Sequence, residues 1–227
     1  MLKRIIIIMI SLAIFSNLVV SASDRAEDNP CNNIIRSIAP YADENTNISR
    51  ENCIASVMQL VGIDKNTAAI CADMDFDQPV FYDIDNDLNA GYIILAKFSG
   101  VATGVNLDTR NIGNFEPNRD VTTKECLAFM LRCLKDSTSV EWENIIPDAE
   151  EVGLLQSDEV QNLNGDEALT GSTFKTLLER MLNMNRYLYW PTEEPQPGHA
   201  KSMQVDTSKS IKYVDWIVES RSNWENT

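Results

Sequence analysis

Three aspartates at alternate positions, Asp83, Asp85 and Asp87, have the spacing that opens an EF-hand calcium loop. The sixth position of such a loop requires glycine, and the twelfth requires a bidentate glutamate. This chain has Leu88 and Ile94 at those positions. A second run at 162–166 is similar to a dockerin-type loop but lacks the closing acid and a second copy. We therefore predict no metal site.

The residues needed for most catalytic arrangements are scarce. The single histidine, His199, lies in a proline-rich stretch, so Ser-His-Asp, Cys-His and poly-histidine metal sites are hard to build. Acidic residues are numerous enough for a carboxylate-pair glycosidase, but nothing marks two of them as a site. We predict no catalytic residue and no cofactor.

The composition describes an acidic globular protein. The chain has 227 residues, of which 44% are hydrophobic and 23% are charged, and its net charge is −15. Sequence-independent binding to nucleic acid needs a cationic surface, so this charge argues against it.

The first 22 residues have the plan of a secretory signal peptide. Lys3 and Arg4 precede an apolar run over 5–20, and small residues at Val20-Ser21-Ala22 predict cleavage after Ala22. The alternative is a transmembrane anchor that is retained. Cleavage would leave 17 basic against 34 acidic residues, a charge of −17. We expect an exported product with no later membrane segment.

The five cysteines do not suggest a disulfide framework. Their number is odd, so at least one thiol is unpaired. On one helix, Cys126 and Cys133 would lie about 10 Å apart, which is beyond disulfide reach. We expect Cys53, Cys126 and Cys133 to act as small buried apolar residues.

Three segments share one pattern: an aliphatic residue, a hydroxyl residue that can cap a helix, and then apolar residues on one helical face. The candidate caps are Ser49, Thr122 and Thr170. Counted from each cap, apolar residues recur at positions 4, 8, 11 and 12. Three helix starts in one register predict an internal repeat.

A shorter apolar helix and a polar loop precede each long helix, which divides the chain into three units. Their boundaries are 28–62, 81–135 and 142–185, with an insertion at 63–80. The remaining segment, 186–227, contains a proline-rich linker after Trp190 and a predicted amphipathic helix over 210–221. That helix packs back on the bundle or docks a partner, and we favour packing back.

The second unit resembles an S-layer homology repeat. It has Phe81 and Asp83 at its start, a Gly-Val-Ala-Thr-Gly run at 100–104, Phe-Glu-Pro at 115–117 and Val-Thr-Thr-Lys-Glu at 121–125. The usual family signature at the last place is Ile-Thr-Arg-Ala-Glu-Phe. The first unit reads Ile-Ser-Arg-Glu-Asn-Cys there, and the third reads Leu-Thr-Gly-Ser-Thr-Phe. The resemblance covers about residues 28–185.

The resemblance implies an all-α, pseudo-threefold bundle of three helix-loop-helix repeats. In the family, grooves of this bundle bind pyruvylated secondary cell-wall polysaccharide and hold exported proteins on the bacterial surface. A ketal-pyruvate is a carboxylate, which suits an arginine fork. Arg50 stands at the matching position, and Arg119 and Lys124 flank the second cap and could replace it. Gly100 and Gly104 fit the groove wall.

Other roles stay open for the same residues. Arg50 could instead be a solvated first-turn residue or the partner of Glu51 or another nearby carboxylate. For Glu125 we favour a capping box with Thr122. Trp142 could stack on a sugar or lie in the core, and we favour the core.

We therefore predict a non-catalytic cell-envelope module, secreted and held at the cell wall or cell surface by secondary cell-wall polysaccharide. The alternative is a structural or protein-interaction domain that keeps the bundle without binding glycan. The distinguishing feature is the change of the motif arginine from Arg50 to Thr123 and Gly171 in the successive units. A hydrolase is a third, less favoured reading.

Overall fold

The helices of the chain begin where the sequence provides local caps. In the computed structural model, which describes residues 29–85, 87–135, 140–191 and 203–224, the secondary structure is mostly α-helical, as predicted. The α-helices are α1 (Pro30–Ile38), α2 (Arg50–Leu60), α3 (Lys65–Ala72), α4 (Ala90–Phe98), α5 (Thr123–Leu134), α6 (Ile145–Glu151), α7 (Ser157–Val160), α8 (Gly171–Leu182) and α9 (Tyr213–Trp224). A short 3₁₀ helix, Trp142–Asn144, precedes α6. The predicted signal peptide lies outside the described residues.

The three predicted caps are confirmed. In α2, α5 and α8 the hydroxyl of the cap residue accepts a hydrogen bond from the backbone N–H three residues later. The N···O distances are 3.4 Å for Ser49, 3.2 Å for Thr122 and 3.4 Å for Thr170. Each cap satisfies one N–H that the helix itself leaves without a partner.

The residues that precede the caps join the three helix starts in a closed ring of backbone hydrogen bonds. Ile48 N–H donates to the Leu169 carbonyl at 3.0 Å, Leu169 N–H to Val121 at 2.8 Å, and Val121 N–H to Ile48 at 2.9 Å. All three side chains are buried. The aliphatic residue before each cap therefore serves both the hydrophobic core and the ring.

A second set of bonds repeats around this ring. The first N–H of each long helix donates to the loop before the next unit's cap: Arg50 to Arg119 at 2.8 Å, Thr123 to Glu167 at 3.0 Å, and Gly171 to Thr46 at 2.8 Å. The first N–H of each long helix is thus paired within the protein. The three helix starts share one backbone arrangement.

The ends of α4 and α6 share a further arrangement that the sequence patterns did not reveal. Arg132 on α5 donates from Nη1 to the Val101 carbonyl at 3.1 Å. Arg180 on α8 donates from Nη1 to the Leu154 carbonyl at 2.8 Å. Each acceptor follows the end of the shorter helix of its unit, so the two arginines tie the short helix to the long one.

The predicted insertion at 63–80 contains α3, which packs against α4. Asp64 caps α3 by accepting from Thr67 N–H at 2.8 Å. The contact with α4 is so close that a Cβ on Gly91 would lie 1.8 Å from the Ala68 carbonyl oxygen. Glycine at this position allows the backbone of the insertion to approach α4.

The all-α prediction needs one correction at the C-terminal end. Strands β1 (Asn185–Pro191) and β2 (Met203–Lys212) form an antiparallel pair, in which Arg186 faces Ile211. The predicted helix over 210–221 therefore begins three residues later, as α9, because Ser210 to Lys212 belong to the ladder. Most of the predicted linker, 192–202, lies outside the described residues.

Helix α9 packs back on the bundle, as favoured from the sequence. Its residues Tyr213, Val214 and Ile217 are buried in the same core as the other helices. The expected role of the cysteines is confirmed for Cys53 and Cys126, which are fully buried, and all five thiols are unpaired. Within the described ranges, no helix has the length and apolarity needed to cross a membrane.

We expect Gly171→Ala to destabilise the protein, although alanine is ordinarily the better helix former. The new Cβ would lie 1.9 Å from the Asp43 carbonyl oxygen, and backbone must move to relieve the clash. The free energy of unfolding should fall by about 2 kcal/mol, measured by urea denaturation. The neighbouring exposed change Ser172→Ala should leave it within about 0.5 kcal/mol. Equal effects of the two changes would contradict this account.

Candidate anion-binding site

Arg50, which matches the motif arginine, is buried among protein groups. Its side chain is 5% exposed and Nη1 donates to Glu125 Oε1. The guanidinium also lies over two aromatic rings, with Cζ 4.9 Å from the Phe115 centroid and 5.2 Å from that of Phe129. Of the roles considered from the sequence, the structure places Arg50 as the partner of a neighbouring carboxylate.

Glu125 joins two arginines to the start of α5. The predicted capping box is confirmed, since Glu125 Oε2 accepts from Thr122 N–H at 3.0 Å. The same carboxylate accepts from Arg119 at 2.8 and 3.1 Å and from Arg50. Burial opposes ionisation of Glu125, but the hydrogen bonds from Arg119 and the charge of Arg50 outweigh it and lower the pKa.

Arg119 donates most of its hydrogen bonds to carboxylates of the same cluster. Its Nε donates to Glu116 Oε2 at 2.7 Å, and its Nη1 donates to the Asp120 carbonyl at 3.0 Å. The hydrogen bond to Glu125 is the main reason that the pKa of Arg119 is raised. The side chain is still 36% exposed.

Lys124 and Trp142 form a cation–aromatic pair in which Lys124 is half-buried. The ammonium nitrogen lies 4.7 Å from the centroid of the indole ring, and Trp142 is 43% exposed. The prediction that Trp142 lies in the core is therefore wrong. Ile145 and Ala149 of the following helix are the buried residues of this segment. No carboxylate in the described part of the chain pairs with Lys124.

Backbone contacts with the loop at Gly165 hold Lys124 in position. Lys124 N–H donates to the Gly165 carbonyl at 2.9 Å. A Cβ on Gly165 would lie 3.2 Å from both Lys124 Cβ and Ile146 Cδ1, so this loop runs close against the lysine stem. No sequence pattern links Lys124 to Trp142. The 3₁₀ helix that starts at Trp142 places its indole ring beside the lysine.

The two candidate glycines lie shortly after the end of α4. Gly100 and Gly104 have φ angles of 74° and 77°, in the left-handed region that favours glycine. A Cβ on Gly104 would lie 2.5 Å from Phe81 Cε1 and 3.0 Å from the Asn114 carbonyl oxygen. The five candidate residues therefore lie in three places. Arg50 and Arg119 share Glu125, Lys124 pairs with Trp142, and the two glycines follow α4.

The aspartates of the partial calcium motif have other partners. Asp83 accepts from the N–H groups of Phe115 and Glu116, both at 2.7 Å, and Asp87 accepts from Asn89 N–H at 2.7 Å. Over the described ranges, no group of three or more potential ligands is arranged to hold a metal ion. Asp83 thus fastens the Phe-Glu-Pro loop to the start of its unit.

None of the protein-family models, curated proteins or solved structures compared with the chain matches it. The functional interpretation therefore depends on the residues and their arrangement.

We expect Glu125→Gln to cost about 3 kcal/mol of unfolding free energy, because it leaves the buried Arg50 guanidinium without a counter-charge. Chemical denaturation at neutral pH measures this loss. The matched change Glu151→Gln removes a carboxylate that is 73% exposed and pairs with Lys135, and it should cost less than about 0.5 kcal/mol. Equal losses of stability in the two variants would contradict the prediction that Glu125 neutralises a buried arginine.

The same cluster predicts how stability depends on pH. Since the pKa of Glu125 is lower in the folded protein than its ordinary value of 4.5, its contribution is present above that value and is lost as the pH falls through the folded-state pKa. Glu125→Gln should therefore flatten the acidic limb of stability against pH, whereas Glu151→Gln should parallel the wild type. Denaturation curves recorded at several acidic pH values measure both, and a limb of unchanged slope in Glu125→Gln would contradict the prediction.

Proposed function

We propose that the protein is a non-catalytic cell-envelope module with an S-layer-homology-like, pseudo-threefold bundle, and that it binds an acidic secondary cell-wall polysaccharide. Binding would retain the exported protein at the bacterial surface. The ring of backbone bonds at Ile48, Val121 and Leu169 supports the three-unit bundle, since each unit contributes the same pair of groups.

The pair formed by Lys124 and Trp142 carries the proposal. An exposed indole face offers a flat apolar surface for a sugar ring, and the ammonium above it offers a positive charge for a carboxylate on that sugar. Lys124 is the second residue of α5, where the helix dipole also favours an anion.

The charge of the protein makes these few cations important. A mature chain with a charge of −17 repels an anionic polymer over most of its surface. Binding must then depend on local positive groups at short range. We expect such binding to weaken as ionic strength rises.

The burial of Arg50 favours the second candidate, a structural or protein-interaction domain that keeps the bundle without glycan pockets. In that case the arginine would serve only to hold α2 against α5. The two candidates differ in whether the exposed pair has a ligand, and Arg50→Ala does not separate them because it also disturbs the fold.

The test is sedimentation of the mature protein with purified cell-wall sacculi, with and without pyruvyl groups. We expect Trp142→Ala and Lys124→Gln to weaken binding about tenfold each, because one removes the aromatic face and the other removes the positive charge offered to the ligand. Phe98→Ala, which removes another exposed aromatic ring, and Lys175→Gln should bind as the wild type does. Sacculi without pyruvyl groups should retain less protein.

Binding that is independent of pyruvyl groups, or that is unchanged in both variants of the pair, would favour the second candidate. Circular dichroism of each variant shows whether a loss of binding reflects a loss of structure.

A further inference from the structure

Two cysteines meet at the buried contact between the first two units. Each is the fifth residue after a member of the backbone ring: Cys53 follows Ile48, and Cys126 follows Val121. Because Val121 N–H donates to the Ile48 carbonyl at 2.9 Å, the two helix starts are held together at this point. Helix α2 packs against α5, and both cysteine side chains are fully buried. Equivalent positions on two neighbouring helices therefore carry thiols.

The two thiols are in direct contact. The thiol of Cys53 is hydrogen-bonded to that of Cys126. Burial, and then this hydrogen bond, raise the pKa of Cys53 well above its usual value. The ion pair of Arg50 with Glu125 joins the same two helices close by. The backbone ring and the ion pair thus hold the two sulfur atoms together without a covalent bond.

The other three cysteines have different surroundings. Cys31 accepts from the Asn183 amide at 3.8 Å, and Cys71 lies on α3. Cys133 lies two turns further along α5, about 10 Å from Cys126. Cys53 and Cys126 are therefore the pair that the fold brings together.

We propose that Cys53 and Cys126 form a disulfide bond when the chain folds in an oxidising compartment, and that this bond joins α2 covalently to α5. The expected compartment follows from the predicted export, since disulfides form in extracellular and periplasmic proteins. The inference goes beyond wall attachment and uses neither Lys124 nor Trp142, so it does not depend on a ligand.

The bond forms by thiol–disulfide exchange, with an external disulfide as the oxidant. One cysteine thiolate attacks that disulfide and becomes a mixed disulfide, while the first external thiol leaves. The second cysteine then attacks the sulfur of the first, and the second external thiol leaves. Two electrons and two protons thus pass from the cysteines to the oxidant. Burial would block the first attack in the folded protein, so this step takes place while the chain folds.

The bond would close a long loop that contains the insertion and α4. A cross-link stabilises a protein mainly by restricting its unfolded chain, and the effect grows with the length of the loop. We therefore expect the oxidised protein to melt about 10 °C higher than the reduced protein. A bond that formed without raising the melting temperature would contradict a stabilising cross-link.

The test is refolding of the denatured, reduced mature protein with oxidised glutathione, beside a sample refolded with excess dithiol reductant. Alkylation in denaturant, followed by peptide mapping, identifies the free thiols. With oxidised glutathione, two of the five thiols should escape alkylation and map to a peptide that links Cys53 to Cys126. Five free thiols in both samples, or a different pair, would overturn the inference.

Alanine variants separate the bond from the packing of the side chains. Cys53→Ala and Cys126→Ala should abolish the difference in melting temperature between the two refolded samples. Cys133→Ala changes another cysteine of α5 and should preserve that difference. Each variant is compared with itself, so a loss of packing common to both samples cancels. A difference that persisted in Cys53→Ala would assign the stabilisation to another cross-link and overturn the inference, and the mapping decides the pairing even if a variant fails to fold.

Discussion

The fold depends on three backbone hydrogen bonds that close on themselves. Ile48, Val121 and Leu169 each donate one N–H and accept one, so no member can move without breaking contact with both neighbours. Buried backbone N–H and C=O groups must be hydrogen-bonded, and for each of these residues the partners come from the other two helix starts. The segments between the helix starts can differ in length as long as the ring closes. The segment after α2 is therefore long enough to contain α3.

A second constraint follows from bringing helix starts together. The approach of α2 to α5 places Arg50 in an interior where its charge needs a partner, and Glu125 supplies it while also capping α5. The motif arginine is thus used within the protein. Positive charge for a ligand then rests on Lys124, which pairs with no carboxylate in the described part of the chain, and our functional proposal depends on that residue.

The sequence by itself determined the features that depend on neighbours a few residues away. The caps at Ser49, Thr122 and Thr170, and the box formed by Glu125, need only residues three positions apart, so they could be read directly. Tertiary structure decided the rest. Arg50 is paired with a carboxylate 75 residues further along, and β1 pairs across a segment that gave only a linker signal. Burial of a charge and pairing of strands depend on which distant groups come together, and no local pattern contains that information.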